Sequence, residues 1–156
     1  MSEHRARISW RRATAGFAYE DYDRTHEWSF DNGMRLKASA AVAYRGDPGA
    51  VDPEEAFVAS IASCHMLTFL AIASRKRIIV DAYDDDAIGF MTKNAQGKLA
   101  VTRVELRPII AFASPVDAQT LADMHHRSHD ECFIANSVLT EIVVMEGGMN
   151  TGRNAS

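Results

Sequence analysis

The sequence predicts an α+β fold in which helices pack on antiparallel sheet. Three observations carry that reading. A charge-free, apolar stretch from Ala56 to Ala73 reads as one long helix. Segments of alternating or β-branched residues on both sides of it read as strands. A second helix is expected over residues 117–130, followed by one more strand.

The elements follow in order. Residues 5–12 open as a strand, with Ile8 and Trp10 on alternate positions. Residues 27–43 form a hairpin, because Asn32-Gly33 supplies a tight turn that favours positive φ. Gly46, Pro48 and Gly49 mark a loop over 44–52. Asp52 is a good N-cap for the long helix, Pro53 suits its first turn, and Glu54 and Glu55 complement its positive end. Arg75-Lys76-Arg77 closes it where cations are favourable. Residues 78–92 and 98–113 form a second long hairpin, turning at 94–97. Ser114-Pro115 precedes the second helix, and 132–138 extend it or form a short turn. Residues 139–146 are the last strand, and 147–156 a frayed tail.

A chain of 156 residues without repeat or linker suits a single domain, 1–156. The net charge of -4, with scattered Lys and Arg, argues against nucleic-acid binding. The N-terminus carries charges where a secretory signal needs an apolar region, so the expectation is a cytoplasmic protein. The stretch 56–73 reaches the length of a membrane span. Ser60, Ser63, His65, Thr68 and many alanines favour instead a helix buried on nearly every side of a soluble protein. One chain of this size has difficulty covering such a helix, so a homodimer that sandwiches it is expected.

Two cysteines do not make a disulfide framework. By themselves, Cys64 and Cys132 read equally as small buried side chains or as a reactive pair. A thiol deep in a helix is inert unless a cation stabilises its thiolate. The helix dipole fades too early to help, and His65 points about 100° away round the helix. An arginine from elsewhere is the better candidate. His125, His129 and Cys132 fall at i, i+4, i+7 on one helix face, which admits a zinc reading completed by Cys64 and His65. A plainer reading has the histidines complementing the negative helix end.

Two motifs make the reading specific. D52-P-E-E-A-F-V-A-S-I-A-S-C64 resembles the Asn-Pro-Glu start, apolar helix and cysteine of the osmotically inducible protein C and organic hydroperoxide resistance (OsmC/Ohr) family. H129-D-E-C132 resembles that family's second-cysteine motif, and the element order is similar over roughly 5–146. The resemblance implies an OsmC-like fold in an intertwined homodimer and the reduction of organic hydroperoxides without a cofactor. It implies Cys64 as the attacking thiol, Cys132 as the resolving thiol, and reductant electrons from a small or lipoyl-type dithiol. Glu54 would orient an arginine beside Cys64. Arg24, in Tyr22-Asp23-Arg24-Thr25-His26, is the preferred match, and Arg45 is the alternative. Phe57, Ile61, Met66 and Phe69 are candidates to line an alkyl pocket. Asp52 stands where the family has Asn, and Phe133 where a proline commonly follows the second cysteine. Ten helical residues also place Glu54 and Cys64 about 15 Å apart along the axis, too far for one guanidinium to touch both unless the helix bends or starts later. A non-enzymatic stress or ligand-binding protein on the same fold is the alternative function.

Overall fold

The computed structural model describes residues 1–145; the expected frayed tail at 147–156 lies outside the described residues. Contacts divide the chain into two compact units, residues 1–56 and residues 57 onward, and each is described by itself.

The first unit holds a three-stranded antiparallel sheet of β1 (Ala6–Ser9), β2 (His26–Phe30) and β3 (Arg35–Ala38) in that order. The expected hairpin is present but shorter, because β3 stops at Ala38 and a 3-10 turn occupies Val42–Tyr44. Gly33 sits at φ 83 in its turn, a conformation that an L side chain resists. The opening strand is likewise shorter than 5–12, since the chain leaves β1 after Ser9 to build an aromatic cluster. Trp10, Phe17 and Tyr22 pack there with ring centroids 5.0–6.3 Å apart.

Helix α1 (Pro53–Arg75) begins where the capping residues predict. Asp52 Oδ1 accepts from the Glu55 N–H at 2.7 Å, and the Asp52 N–H donates back to Glu55 Oε2 at 3.1 Å. This reciprocal box satisfies two backbone donors that the helix start leaves free. Asp52→Ala should therefore lower stability by about 1 kcal/mol in urea unfolding, and Asp52→Asn should cost only a fraction of that. Equal losses in the two variants would refute the capping account.

In the second unit, β4 (Val80–Asp85) pairs antiparallel with β7 (Pro108–Phe112), and β5 (Ile88–Lys93) with β6 (Leu99–Leu106). These are the two arms of the long hairpin expected from the sequence, paired in one register from Lys93 and Leu99 to Val80 and Phe112 with an interruption at 86–87 and Arg107, and its turn lies at Asn94 to Gly97. Helix α2 (Ala118–Glu131) starts on Asp117, whose carboxylate accepts from the Thr120 N–H at 2.9 Å. A 3-10 turn at Ala135–Ser137 leads to β8 (Glu141–Val144). β8 lies parallel to β6, so the expectation of a wholly antiparallel sheet is corrected at this pair.

Helix α1 organises this unit. Ile61, His65, Phe69, Ile72 and Ala73 are its buried residues, and their spacing of three to four places them on one face. Its first half packs Ile61 with Val104 and Leu106 of β6. The approach is close: a Cβ on Gly89 would stand 2.5 Å from Val58 Cγ2. Its second half packs Phe69, Ile72 and Ala73 with Ile110 of β7 and Met124 of α2. The opposite face is open in the single chain, where Leu67 is 60% exposed. Within one chain the helix is therefore not buried on nearly every side. Helix α1 is 23 residues long and contains an 18-residue window of mean hydropathy 1.9, so it has the length and composition of a membrane span.

Candidate functional site

Cys64 lies midway along α1, half-buried. Cys132 is the C-cap of α2 and only 1% exposed. Cys64 lies close enough to Cys132 to act on its ionisation, and neither cysteine is in a disulfide. Burial, and after it the hydrogen bond with Cys64, raises the Cys132 thiol above its ordinary pKa, so it is held protonated at neutral pH. The Ala135 N–H, directed at Cys132 Sγ at 3.4 Å, pulls more weakly the other way.

Local structure explains how Cys132 is aimed without a following proline. The chain leaves helical geometry at Cys132, with φ -73 and ψ 118. The Asn136 side chain then donates to the carbonyls of Asp130 (2.8 Å) and Cys132 (3.1 Å), closing the turn. Phe133, in the proline's place, is 83% exposed and packs into nothing that fixes the cysteine. Asn136 is a positioning residue that the sequence reading passed over.

The other candidates are placed as follows. Glu54 stands in the first turn of α1 and makes no ion pair among the described residues. Helix α1 runs without interruption from Pro53 to Arg75, so Glu54 and Cys64 are separated by about 15 Å of helix rise. Arg24 is held inside the first unit. It donates to the carbonyls of Tyr22 (2.8 Å) and Tyr19 (2.7 Å), and its guanidinium lies over both rings at 4.1 and 4.6 Å. Cation–π contact of this kind keeps the charge while restricting the side chain. Arg45 is exposed and ends the 3-10 turn with φ 65. Of the alkyl-pocket candidates, Ile61 and Phe69 are fully buried and belong to the core instead.

The histidines form a centre of their own. His65 Nε2 and His125 Nδ1 are 3.1 Å apart with ring planes at 14°, and His125 also packs 4.7 Å from Phe69. With both rings neutral, one N–H serves as donor and the other ring's bare nitrogen accepts. Burial lowers both to a pKa of about 4, with the charges of His125 and His129 adding to the effect at His65. The zinc reading required His125, His129 and Cys132 to converge. Instead His125 bonds His65 and Cys132 meets Cys64, and no group of three or more metal-ligating side chains is assembled among the described residues. His125 and His129 also border a cavity of about 630 Å3, whose other walls include Ile110, Phe112, Leu121 and Val144.

This pair has a stability consequence. A histidine with a depressed folded-state pKa leaves the unfolded chain binding more protons between about pH 4 and 6.5. Stability is therefore full above pH 6.5, falls as pH drops through that window and levels off below pH 4 with respect to these groups. A loss of roughly 3 kcal/mol per histidine, so at most about 7 kcal/mol for the pair, is expected. Denaturant midpoints measured from pH 7 to 4 check it, and His65→Gln should flatten the curve.

Fold and site together define a class: an α+β protein in which a half-buried thiol in one helix lies beside a buried thiol at the end of another. The chain belongs to the OsmC-like protein family, whose model matches residues 46–146. A solved OsmC-like protein of unknown function from Vibrio cholerae is 47% identical, with a TM-score of 0.88 over 93% of this chain and 99% of that one. An organic hydroperoxide resistance protein from Elizabethkingia anophelis shares the fold at 17% identity and TM-score 0.70, covering 92% and 93% of the two chains. A counterpart from Legionella pneumophila does so at 17% identity and TM-score 0.68, covering 92% and 94%. Comparison with curated proteins gives no match.

Proposed function

We propose that the protein is a two-cysteine peroxidase that reduces organic hydroperoxides in oxidative-stress defence. The observation that carries this is the contact between an accessible Cys64 and a buried, protonated Cys132. The asymmetry suits their roles. The thiolate of Cys64 attacks the outer peroxide oxygen, the O–O bond breaks, and alkoxide leaves and takes a proton to become the alcohol. Cys64 becomes a sulfenic acid. The Cys132 sulfur then displaces hydroxide from that sulfenic acid; the thiol proton leaves with it as water, and a Cys64–Cys132 disulfide remains. A dithiol of small or lipoyl type returns two electrons and two protons.

Arg24 is the arginine proposed to support the Cys64 thiolate, with Glu54 orienting it. The cation–π clamp on Arg24 supports a charge held ready in one conformation. The proposed assembly is a cytoplasmic homodimer whose second subunit covers the open face of α1, around Leu67.

The test is mass spectrometry after one equivalent of cumene hydroperoxide. An intramolecular Cys64–Cys132 disulfide is the expected product. Sulfinate or sulfonate at Cys64 with Cys132 untouched would overturn the cycle. A second reading, a ligand-binding stress protein, is favoured by the cavity of about 630 Å3 beside α2. It predicts thiols that stay reduced under the same treatment.

A further inference from the structure

Helices α1 and α2 carry one cysteine each, and the contacts that join them are made by side chains. Arg75 and Glu131 form one such bridge, at 2.8 Å. Those side chains are 60% and 40% exposed, so solvent screens the pair and it holds the helices weakly. The second bridge is of a different kind. His65 is the residue next to Cys64 and is 1% exposed. Its ring bonds His125 of α2 at 3.1 Å, and Phe69 packs against the His125 ring with centroids 4.7 Å apart. A hydrogen bond in such surroundings is directional, and breaking it leaves a buried nitrogen without a partner.

We propose that the His65–His125 hydrogen bond is a positioning clamp that holds α1 and α2 in the register at which the Cys64 and Cys132 thiols meet, and so sets how readily their disulfide forms. The inference rests on Cys64 and Cys132 working as a pair, and it does not need the oxidant to be a peroxide.

The two rings share one N–H···N bond only while at least one of them is neutral. Two imidazolium ions at this separation repel, so acid opens the clamp. The groups around it do not offset that repulsion. On α2, His129 adds a further positive charge when protonated. On β4, Tyr83 reaches the same cluster through Phe69, and its raised pKa keeps it neutral. Asp85 stands two residues along β4, and burial raises its pKa, so it gives up its charge earlier than an exposed carboxylate as pH falls. From β7 the cluster receives only Ile110 and Phe112. Cys64 and Cys132 are thiols and carry no positive charge.

The test measures the equilibrium in which glutathione disulfide oxidises the two thiols, releasing two glutathiones, at pH 7. Amide side chains can replace the ring nitrogens. The amide nitrogen of Gln reaches the Nε2 position, and that of Asn the Nδ1 position. His65→Leu and His125→Phe, which remove the bond, should each lower the equilibrium constant at least tenfold. His65→Gln and His125→Asn should stay within threefold of the wild type. Melting curves identify any variant that fails to fold, and either apolar variant suffices alone. Should neither fold, the wild type is compared with the doubly amide-substituted protein in diamide oxidation from pH 7 to 4, so that thiol ionisation cancels in the ratio. With the series continued to pH 3, the wild type should begin to fall behind near pH 4 and lag by at least threefold at pH 3. Folded apolar variants with an unchanged constant would overturn the clamp. So would amide variants that lose as much as the apolar ones, or a ratio independent of pH. Absence of peroxide turnover beside a normal response in these assays would sink the peroxidase reading and leave the clamp standing.

Discussion

Cys64→Ser should abolish reduction of cumene hydroperoxide, with kcat/KM falling about 1000-fold or more. The reason is chemical and not structural. Serine fills nearly the same space, yet its hydroxyl does not ionise at neutral pH and its alkoxide is a poor match for the peroxide oxygen. Cys132→Ser should behave differently. The attack at Cys64 survives, so one equivalent of alcohol forms in a single turnover. The sulfenic acid then persists and can be trapped with dimedone, because no neighbouring thiol condenses with it. The contrast separates the two roles. A Cys64→Ser protein with full activity would end the proposed mechanism. A Cys132→Ser protein with unchanged steady-state turnover would show that resolution needs no intramolecular partner.

Part of this site was legible before the fold was known. The run Asp52-Pro53-Glu54-Glu55 marks the start of α1 because capping and dipole preferences are local. Asn32-Gly33 marks its turn for the same reason, since positive φ is a property of one or two residues. Whether Cys64 and Cys132 meet is different. It depends on how two helices cross, which is settled by Phe69, Ile72 and Met124 filling the space between them. Nothing in either local sequence states that geometry. The histidines show the same limit. Their i, i+4 spacing on α2 pointed to a shared face and from there to zinc, whereas His125 is satisfied from across the helix pair by His65. The sheet was misread where pairing is decided at long range. The parallel alignment of β8 on β6 depends on which strands α1 brings together, whereas the long hairpin of β4-β5 with β6-β7 was legible because its turn at Asn94 to Gly97 is local.

That dependence on α1 makes its core the second place where a single change should have a large effect. Phe69 is fully buried, with ring centroids 5.6 Å from Tyr83, 6.5 Å from Phe112 and 4.7 Å from His125. Phe69→Ala removes most of the apolar surface at that junction and leaves a void bounded by β4, β7 and α2. The expected cost is about 3–5 kcal/mol. Phe69→Leu, which leaves a smaller void, should cost roughly half as much. The exposed ion pair between the same two helices makes a useful contrast. Glu131→Gln removes a 2.8 Å contact with Arg75 and should cost less than about 1 kcal/mol, because water already solvates both partners. Urea midpoints at pH 7 rank the three variants. The packing account requires the order Phe69→Ala, Phe69→Leu, Glu131→Gln. If Glu131→Gln proved the most damaging, the helices would be held together by their surface charges, and the buried cluster around Phe69 would not be what brings Cys64 to Cys132.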